Sequence, residues 1–420
     1  MNRLCLGLAL VCAAAPSYAQ STPGTLVHDP EPVEAPLTAP RPAATAHWRF
    51  DPSAGLVYTR GDVRWVTWGF AERLFRPDGA DTWRRVRQGM EVDIPRVTAR
   101  LRPAFVYEVD LTDNDFFRAG AGSKVFENLF VAVQDADDAG RFRALVGENT
   151  HVISREDNLP SGNLPAVNRS LVLEEHGSVN SFGTQFGVQV QRALSPRVAL
   201  ALSAQDNRGS LNTDDPRWAV GNSLAAKLSV LALRDEPAGR RLTAGVGVDH
   251  TRAIRDRRFT LASAIAAEPL GATEAVGDKL SVEADAAYTS RVGRRLGARP
   301  FAVEAEGLVS TFSGSGTHVA GGYVQAQLSV FGSDRAGSLD PFVRLDVVRL
   351  GRDGVDGSAV QQAWRAGANY TVPHTGRLVG LHLEVARNTV RGPAEIVPAR
   401  RSFGEVRFGL RVNTAQYLRY

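Results

Sequence analysis

Eight arginines at alternate positions of strand-like segments are the residues of this chain best suited to binding chemistry. A guanidinium keeps its charge at any physiological pH and can hold phosphate or carboxylate through two hydrogen bonds. A column of such groups in a narrow passage with low-dielectric walls would concentrate anions. The candidates all fall on the polar parity of their segments: Arg85, Arg87, Arg100, Arg102, Arg141, Arg143, Arg407 and Arg411. We predict that these side chains line a polar passage.

A second interpretation pairs the same arginines with carboxylates. Glu91, Asp93, Glu108 and Glu405 share their parity, so each guanidinium could belong to a balanced lattice of ion pairs. The charges at a constriction decide which ions pass it, and only unbalanced positive charge would favour anions. The sequence leaves both interpretations open for any single arginine.

One long segment without alternation, residues 149–178, interrupts the early strands. It holds Arg155, Glu156, Asp157 and Arg169. Long structureless connections in compact domains usually have a function, and a connection folded inward would narrow a passage. These four residues are therefore candidates for a constriction. The alternative is a loop exposed on the outside of the molecule.

Enzymatic chemistry finds little support in the sequence. The eight histidines are scattered, and no nucleophile elbow, phosphate-binding loop or His-Glu-x-x-His helix occurs. The acidic run 110–115 lacks the distal glutamate of a calcium loop, so it is interpreted as a polar turn. A lipid-facing His250 with a catalytic partner, as in an outer-membrane phospholipase, is the enzymatic alternative. We predict no enzyme activity and no cofactor.

Composition excludes further classes of protein. The chain has 49 Lys and Arg against 45 Asp and Glu, and only Lys124, Lys227 and Lys279 are lysines. Without a basic block, a recognition helix or a zinc spacing, we predict no nucleic-acid partner. Both cysteines, Cys5 and Cys12, lie near the N-terminus, which excludes disulfides and cysteine-based metal sites from the rest of the chain.

The elements that would position the arginines are predicted to be β-strands with one apolar and one charged side. In 405–413, Val406, Phe408 and Leu410 alternate with charged residues, and side chains of a strand alternate between its faces. The same pattern occurs in 82–94, 97–109, 280–288 and 378–386. About sixteen such runs are long enough to cross a bilayer at a tilt. The predicted fold is all-β, a transmembrane antiparallel up-and-down β-barrel that is apolar outside and polar within.

The N-terminus is typical of an exported protein. Arg3, the apolar stretch 4–15 and the small residues before Gln20 predict a cleaved signal peptide over residues 1–19. A proline-rich leader in the periplasm is predicted over 20–60, and the barrel over 61–420. The predicted location is the outer membrane of a Gram-negative bacterium, with outer-membrane lipid around the barrel.

Aromatic residues near strand ends are typical of the girdles that meet the membrane interfaces. Trp65, Trp68 and Phe70 stand at the start of the first barrel strand, and Tyr417 and Tyr420 at the end of the chain. The alternative is that aromatic residues favour strands of any kind.

Residues 84–208 also carry an ordered set of short motifs. The set begins with the strand 84–91, continues with 125–131 and Ala144-Leu145-Val146-Gly147-Glu148-Asn149, and passes through an irregular segment containing Asn168-Arg169-Ser170. Alternation returns at 182–188. This order resembles the phosphate-selective porin O and P family. The resemblance implies a trimeric, sixteen-stranded channel that passes anions.

The sequence thus predicts an outer-membrane porin for passive diffusion of small hydrophilic solutes, with a preference for phosphate-like anions. Its expected partners are these solutes and two further copies of the chain in a homotrimer. The alternative is a non-conducting outer-membrane barrel that serves as a structural anchor or binds partners through its surface.

Overall fold

The computed structural model describes residues 47–51, 55–60, 63–75, 82–110, 126–138, 140–156, 158, 164–166, 170–173, 184–206, 222–236, 239–254, 258–261, 271–292, 299–333, 337–373 and 379–413. The predicted signal peptide, most of the predicted leader, Tyr417 and Tyr420 lie outside these ranges.

The described residues form twenty-one β-strands, because alternating apolar and polar side chains suit a sheet with two different faces. The strands are β1 (His47–Asp51), β2 (Gly55–Arg60), β3 (Val63–Phe75), β4 (Thr82–Asp93), β5 (Leu101–Asp110), β6 (Phe126–Asp135), β7 (Phe142–Thr150), β8 (Thr184–Ser195), β9 (Val198–Asp206), β10 (Ser223–Asp235), β11 (Arg240–Ile254), β12 (Arg258–Leu261), β13 (Gly271–Glu274), β14 (Gly277–Val292), β15 (Arg299–Phe312), β16 (Thr317–Leu328), β17 (Phe331–Ser333), β18 (Gly337–Arg352), β19 (Ser358–Thr371), β20 (Val379–Arg391) and β21 (Arg401–Asn413).

Sixteen of these strands close into an antiparallel barrel, which confirms the predicted fold class and strand number. They are β3 to β11, β14 to β16, and β18 to β21. The last strand, β21, pairs with the first, β3, from Phe408 opposite Phe75 to Asn413 opposite Phe70. Closure pairs the polar groups of the backbone within the wall, as a bilayer requires. Within the described residues, no helix is long and apolar enough to cross a membrane.

The wall exposes apolar side chains and buries charged ones, which inverts the usual arrangement of a water-soluble protein. Val343 of β18 and Trp364 of β19 are both 59% exposed, whereas the adjacent Arg344 and Arg365 are 2% and 3% exposed. Since successive residues of a strand face opposite sides, the apolar residues face outward and the charged residues face the lumen. A barrel surrounded by lipid has this arrangement.

The predicted alternation is confirmed in β14, β20 and β21, but the segment 97–109 differs at its start. Here β5 begins only at Leu101, and residues 94–100 form an exposed turn, whereas the sequence pattern leaves only residues 95 and 96 between the two alternating segments. The Thr98 hydroxyl accepts hydrogen bonds from the backbone N–H groups of Arg100 and Leu101, at 3.3 and 3.0 Å. These bonds hold residues 97–100 in the turn.

The two ends of the barrel differ in the length of their connections. The turn end carries short connections, such as 94–100, 196–197 and 236–239. The loop end carries the longer ones, including 151–183 and 255–276. In bacterial outer-membrane barrels the short turns lie in the periplasm and the longer loops outside the cell.

A hairpin of β1 and β2 adds to the barrel within residues 20–60, the range assigned above to the leader. β2 pairs with the first part of β3, from Leu56 opposite Thr67 to Arg60 opposite Val63. Since β21 pairs with the second part of β3, one edge of β3 is divided between the hairpin and the last strand.

The expectation of an aromatic girdle is wrong for two of the residues at the start of β3. Trp65 faces outward and is exposed, but Trp68 and Phe70 face the lumen and are buried with Val106 and Phe130. Trp65 and Trp68 are three residues apart, so they fall on opposite faces of the strand.

Candidate pore constriction

The connection between β7 and β8 folds into the barrel. Its described residues, 151–156, 158, 164–166 and 170–173, are here called the inserted segment. Most of these residues are buried. They contact inward-facing side chains on β10, β11, β15, β18, β19 and β21. The inserted segment therefore lies across the lumen.

His151 anchors the beginning of the inserted segment. Its Nε2 lies 3.2 Å from Asp249 Oδ1 and 3.3 Å from Ser223 Oγ. Asp249 also accepts a hydrogen bond from Ser223 Oγ at 2.8 Å and pairs with Lys279 Nζ at 2.9 Å. A catalytic triad uses both ring nitrogens of its histidine, whereas Ser223 and Asp249 approach the same one. This buried group holds the loop and is not arranged as a triad.

Lys227 of β10 makes the second anchor. Its Nζ donates to the backbone carbonyl of Ile153 at 2.8 Å and lies 2.6 Å from Asp285 Oδ2 and 3.1 Å from Glu283 Oε1. The ammonium has three donors, and these three acceptors match them. A single cation thus ties the backbone of the inserted segment to two carboxylates of β14.

Glu156 joins both parts of the inserted segment to the wall. The first part consists of residues 151–156 and 158, and the second of residues 164–166 and 170–173. Arg344 Nη1 donates to Glu156 Oε1 at 2.5 Å, and Ser170 N donates to Glu156 Oε2 at 2.7 Å. The backbone N–H of Glu156 donates to Glu306 Oε2 at 2.8 Å. Both carboxylate oxygens of Glu156 are therefore engaged, as a buried charge requires.

Arg155 lies beside Glu156 and points to the neighbouring wall. Its Nη2 is 3.5 Å from Glu304 Oε1 on β15. Burial alone would lower the pKa of Arg155, but Glu304 and the neighbouring Tyr323, Asp285 and Glu306 together more than offset it, and the pKa lies above its ordinary value. The guanidinium is therefore charged at any pH at which the protein is folded.

The second part of the inserted segment binds the opposite side of the barrel through its backbone. Arg411 Nη1 of β21 donates to the carbonyl of Leu164 at 3.1 Å, and Asn369 Nδ2 of β19 donates to the carbonyl of Pro165 at 3.0 Å. Asn369 Oδ1 in turn contacts His382 Nδ1 of β20. The segment is thus held at both sides of the lumen.

Apolar side chains complete the attachment at the loop end. Ile153 and residues 171–173 pack with the lumen faces of β15 to β20 and with residues of two other loop-end connections, 255–276 and 392–400. A methyl group added at Gly247 would lie 2.8 Å from Ile153 Cγ1, so the chain has just enough room there for the segment. Apolar burial of this kind adds to the polar anchors.

A disulfide should lock the inserted segment to the wall. In a chain expressed from Gln20, which has no native cysteine, we expect I153C/G247C to cross-link under mild oxidation, because the two side chains would be within disulfide distance. Because residue 153 is buried in the folded protein, loss of labelling by a thiol reagent added after denaturation would report the bond. The control I153C/V246C places the second cysteine on the outward face and should stay fully labelled. Equal labelling of both variants would contradict the docked position.

On the wall formed by β3 to β7, two of the predicted arginines pair with carboxylates. Arg87 Nη1 lies 3.5 Å from Glu108 Oε1, and Arg102 Nη1 lies 3.4 Å from Asp93 Oδ2. Arg143 faces the lumen and stacks over the ring of Phe130 at 5.1 Å. The acidic partners are those of the lattice interpretation.

On the wall formed by β18 to β21 and β3, arginines and carboxylates make one continuous network. Arg407 contacts Glu384 at 3.1 Å and Glu405 at 2.5 Å, and Arg411 Nε lies 2.6 Å from Glu72 Oε1. Farther along, Arg365 bridges Glu384 and Asp346, and Arg344 bridges Asp346 and Glu156. Asn369 and His382 connect the Arg411–Glu72 pair to Glu384, so the contacts run from the closing seam of the barrel to the inserted segment.

The fold of the barrel matches that of solved outer-membrane proteins. OmpT of Vibrio cholerae in a trimer form has 12% sequence identity and a TM-score of 0.52, and the match covers 84% of this chain and 99% of that chain. An anion-selective porin from Comamonas acidovorans gives 11%, 0.51, 84% and 99%, and Salmonella typhi OmpF in complex with daunomycin gives 10%, 0.54, 84% and 98%. The fold is that of outer-membrane porins. No protein-family model and no curated protein matches the sequence.

Two groups of ion pairs on β3 to β5 of this porin-like barrel have a cationic partner that is more exposed than the acid. Asp93 lies between Arg64 and Arg102, at 3.5 and 3.4 Å; its side chain is 2% exposed, while those of the two arginines are 37% and 27% exposed. Glu108 is likewise more buried than its partner Arg87. Positive and negative side chains are therefore nearly equal in number, but in these pairs the solvent reaches the positive side chain more easily.

Several residues that were predicted to line the lumen or its constriction lie in turns, and others are not among the described residues. Arg100 lies in the exposed turn 94–100 and Arg141 in the turn before β7, so neither belongs to the lumen face of a strand. Arg85 stands opposite Glu72 in the β3–β4 register, but its side chain is not among those described. Asp157 and Arg169 lie outside the described residues.

Sequence reasoning missed the residues that hold the inserted segment: Lys227, Asp249, Lys279, Glu306 and Arg344. A signal existed for Lys227, which is a lone cation between apolar neighbours in β10 and therefore needs a buried partner. The described residues contain no group of three or more His, Cys, Asp or Glu able to hold a metal ion.

Proposed function

We propose that this protein is an outer-membrane porin through which small hydrophilic solutes diffuse passively, with a preference for anions. The observation that carries the proposal is a closed sixteen-stranded barrel with an apolar outer face and buried charges lining its lumen. The resemblance of the fold to outer-membrane porins agrees with it.

The mechanism needs no covalent chemistry. A solute enters the charged lumen, passes the narrowing made by the inserted segment, and leaves down its concentration gradient. The anchors on both sides of the lumen keep the inserted segment rigid, so the narrowing has a fixed size. Residues 155 and 156, which were predicted to form a constriction, lie on this segment.

The preference for anions rests on which charged side chains the water in the lumen reaches, and not on the net charge. Arg64 and Arg102 are the charged groups of their cluster that water in the lumen reaches, while Asp93 lies beneath them. An anion at this place meets guanidinium donors first, and a cation is kept about one side-chain length from the carboxylate. One structural neighbour, the porin from Comamonas acidovorans, is described as anion-selective.

The proposal is tested by recording purified protein in a planar bilayer under a KCl gradient. We expect discrete unitary current steps, and a reversal potential of the sign that chloride permeation gives. Absence of unitary steps from folded protein would refute the channel. A reversal potential of zero or of the opposite sign would refute the preference for anions and leave the channel standing.

A second candidate function, a non-conducting barrel, is favoured by the apolar packing at the loop end. The inserted segment and two other connections bury Leu171, Phe259, Leu261 and Ile396 against the lumen faces of β15 to β20. Packing of this kind could close that half of the lumen and leave surface binding as the function. Unitary steps in the same recordings would exclude it.

Four finer predictions belong to this proposal. The homotrimer follows from the resemblance to the porin O and P family, and the OmpT neighbour was solved in a trimer form. The phosphate preference rests on the resemblance alone. Cleavage of the signal peptide after Ala19 and the location in a Gram-negative outer membrane rest on the N-terminal sequence and on the fold.

A further inference from the structure

A row of arginines lies on the outward face of β18 to β20, near the loop end. Arg349, Arg387 and Arg391 are all exposed. The adjacent Val348, Leu350 and Val390 are buried on the lumen side. Because side chains alternate between the faces of a strand, the three arginines point away from the lumen, toward the surroundings of the barrel.

The pairing of the strands brings the three arginines together. Arg349 and Arg391 both stand opposite Val360 of β19, one from each side. Two strand spacings separate them, roughly 10 Å. Arg387 lies four residues from Arg391, roughly 13 Å closer to the middle of the wall, opposite Trp364. The row thus covers a surface about the size of one lipid headgroup.

Neutral polar residues fill the space between the arginines. Gln362 stands opposite Thr389, and Thr389 stands opposite Ser402 of β21, all with outward parity. Toward the turn end the outward residues become apolar again, with Val343, Leu383 and Val385 exposed. The three arginines, with Gln362, Thr389 and Ser402, are here called the patch. The patch lies where an apolar belt ends, which is the level of headgroups in a membrane.

The patch has no acid of its own. Among the described residues of β18 to β21, every outward-facing charged side chain is an arginine. Among the described residues, Asp353, Asp356 and Glu395 stand in the loop-end connections that join these strands, and Asp353 is engaged by His318 Nε2 at 3.1 Å. Exposed arginines without acidic partners on a lipid-facing surface are an unusual and costly arrangement, unless anions of the membrane neutralise them.

We propose that this patch binds the phosphate groups of an anionic glycolipid in the outer leaflet. Guanidinium groups match phosphate through two parallel hydrogen bonds. The hydroxyl and amide groups of Thr389, Ser402 and Gln362 suit the sugar hydroxyls of such a headgroup. Exposed Trp364 stands level with Arg387, and exposed Val343 lies beneath both, where the acyl chains would run. The inference goes beyond the channel and requires only the orientation of the barrel in the membrane.

The test compares lipid binding by the wild type and by R349Q/R387Q/R391Q in detergent, with diphosphoryl lipid A as the probe and native mass spectrometry as the readout. Each arginine near an anionic headgroup contributes about five-fold in affinity, so the triple variant should bind on the order of 100-fold more weakly. Lipid A stripped of both phosphates should bind the wild type no better than intact lipid A binds the triple variant.

The matched control is R73Q/R192Q/R252Q, which removes three arginines of other barrel strands and should keep wild-type affinity. If the triple variant does not fold, the single variants R349Q, R387Q and R391Q each test the same claim at about five-fold. Equal binding by wild type and triple variant, or tight binding of the dephosphorylated lipid, would overturn the proposal. Phosphate-dependent binding by a protein that forms no channel would refute the proposed function and leave this inference standing.

Discussion

Replacing both accessible arginines at the turn end, R64Q/R102Q, should reverse the ion preference of the pore. The two side chains screen Asp93 from the lumen, at 3.5 and 3.4 Å. Without them Asp93 becomes the charge that permeating ions meet. A unit charge at 4 Å in water is worth about 1 kcal/mol, or about five-fold in local ion concentration. We therefore expect the chloride-to-potassium permeability ratio, measured from reversal potentials, to fall by at least about five-fold.

The control for this prediction is R100Q, which removes an arginine from the exposed turn at the same end of the barrel. It should leave the permeability ratio at the wild-type value. A ratio that falls equally in R100Q would show that surface charge at the mouth, and not the lumen wall, sets the preference. An unchanged ratio in R64Q/R102Q would contradict the claim that these arginines face the permeating ions.

Replacing residues 152–173 with a short Gly-Ser linker should enlarge the pore. This change removes the backbone that crosses the lumen between Lys227 on one side and Arg411 on the other. Since the conductance of a water-filled pore is set by its narrowest part, we expect unitary conductance to rise roughly two-fold or more. Larger uncharged sugars should also enter liposomes that contain this variant.

The matched control keeps the inserted segment and fixes it. The cross-linked I153C/G247C variant should retain wild-type conductance before and after reduction, because the disulfide joins groups that already touch. Wild-type conductance in the linker variant would show that the segment does not limit the flow. Higher conductance in the cross-linked variant than after its reduction would show that the segment moves away from the position described.

The strands could be predicted from the sequence because their signal is local. In β21 the charged residues Glu405, Arg407 and Arg411 share one parity, and the structure buries all three in the lumen. The same alternation also rules out the predicted girdle for one of the two tryptophans of β3. Trp65 and Trp68 differ by an odd number of positions, so a strand cannot place both in one lipid-facing girdle. The error at Arg100 has another cause, since a side-chain hydrogen bond from the turn decides where β5 begins.

The attachment of the inserted segment could not be predicted in this way. Glu156 and Arg344 are 188 positions apart, and Arg411 binds a carbonyl 247 positions away. The segment has no regular period, so nothing in the sequence sets its path across the lumen. Irregular loops depend on long-range partners that only the closed barrel brings together. The lone charge of Lys227 indicates that this residue has a buried partner, but it does not identify the partner.

The central claim is that ions pass along the inner wall lined by these arginines, and thiol modification of single channels tests it most directly. In a chain expressed from Gln20, R102C supplies the only cysteine, and V131C supplies an outward-facing one on β6. A bulky water-soluble thiol reagent should lower the unitary current of R102C in one discrete step and leave V131C unchanged. Currents of R102C that stay unchanged after complete modification would contradict the account.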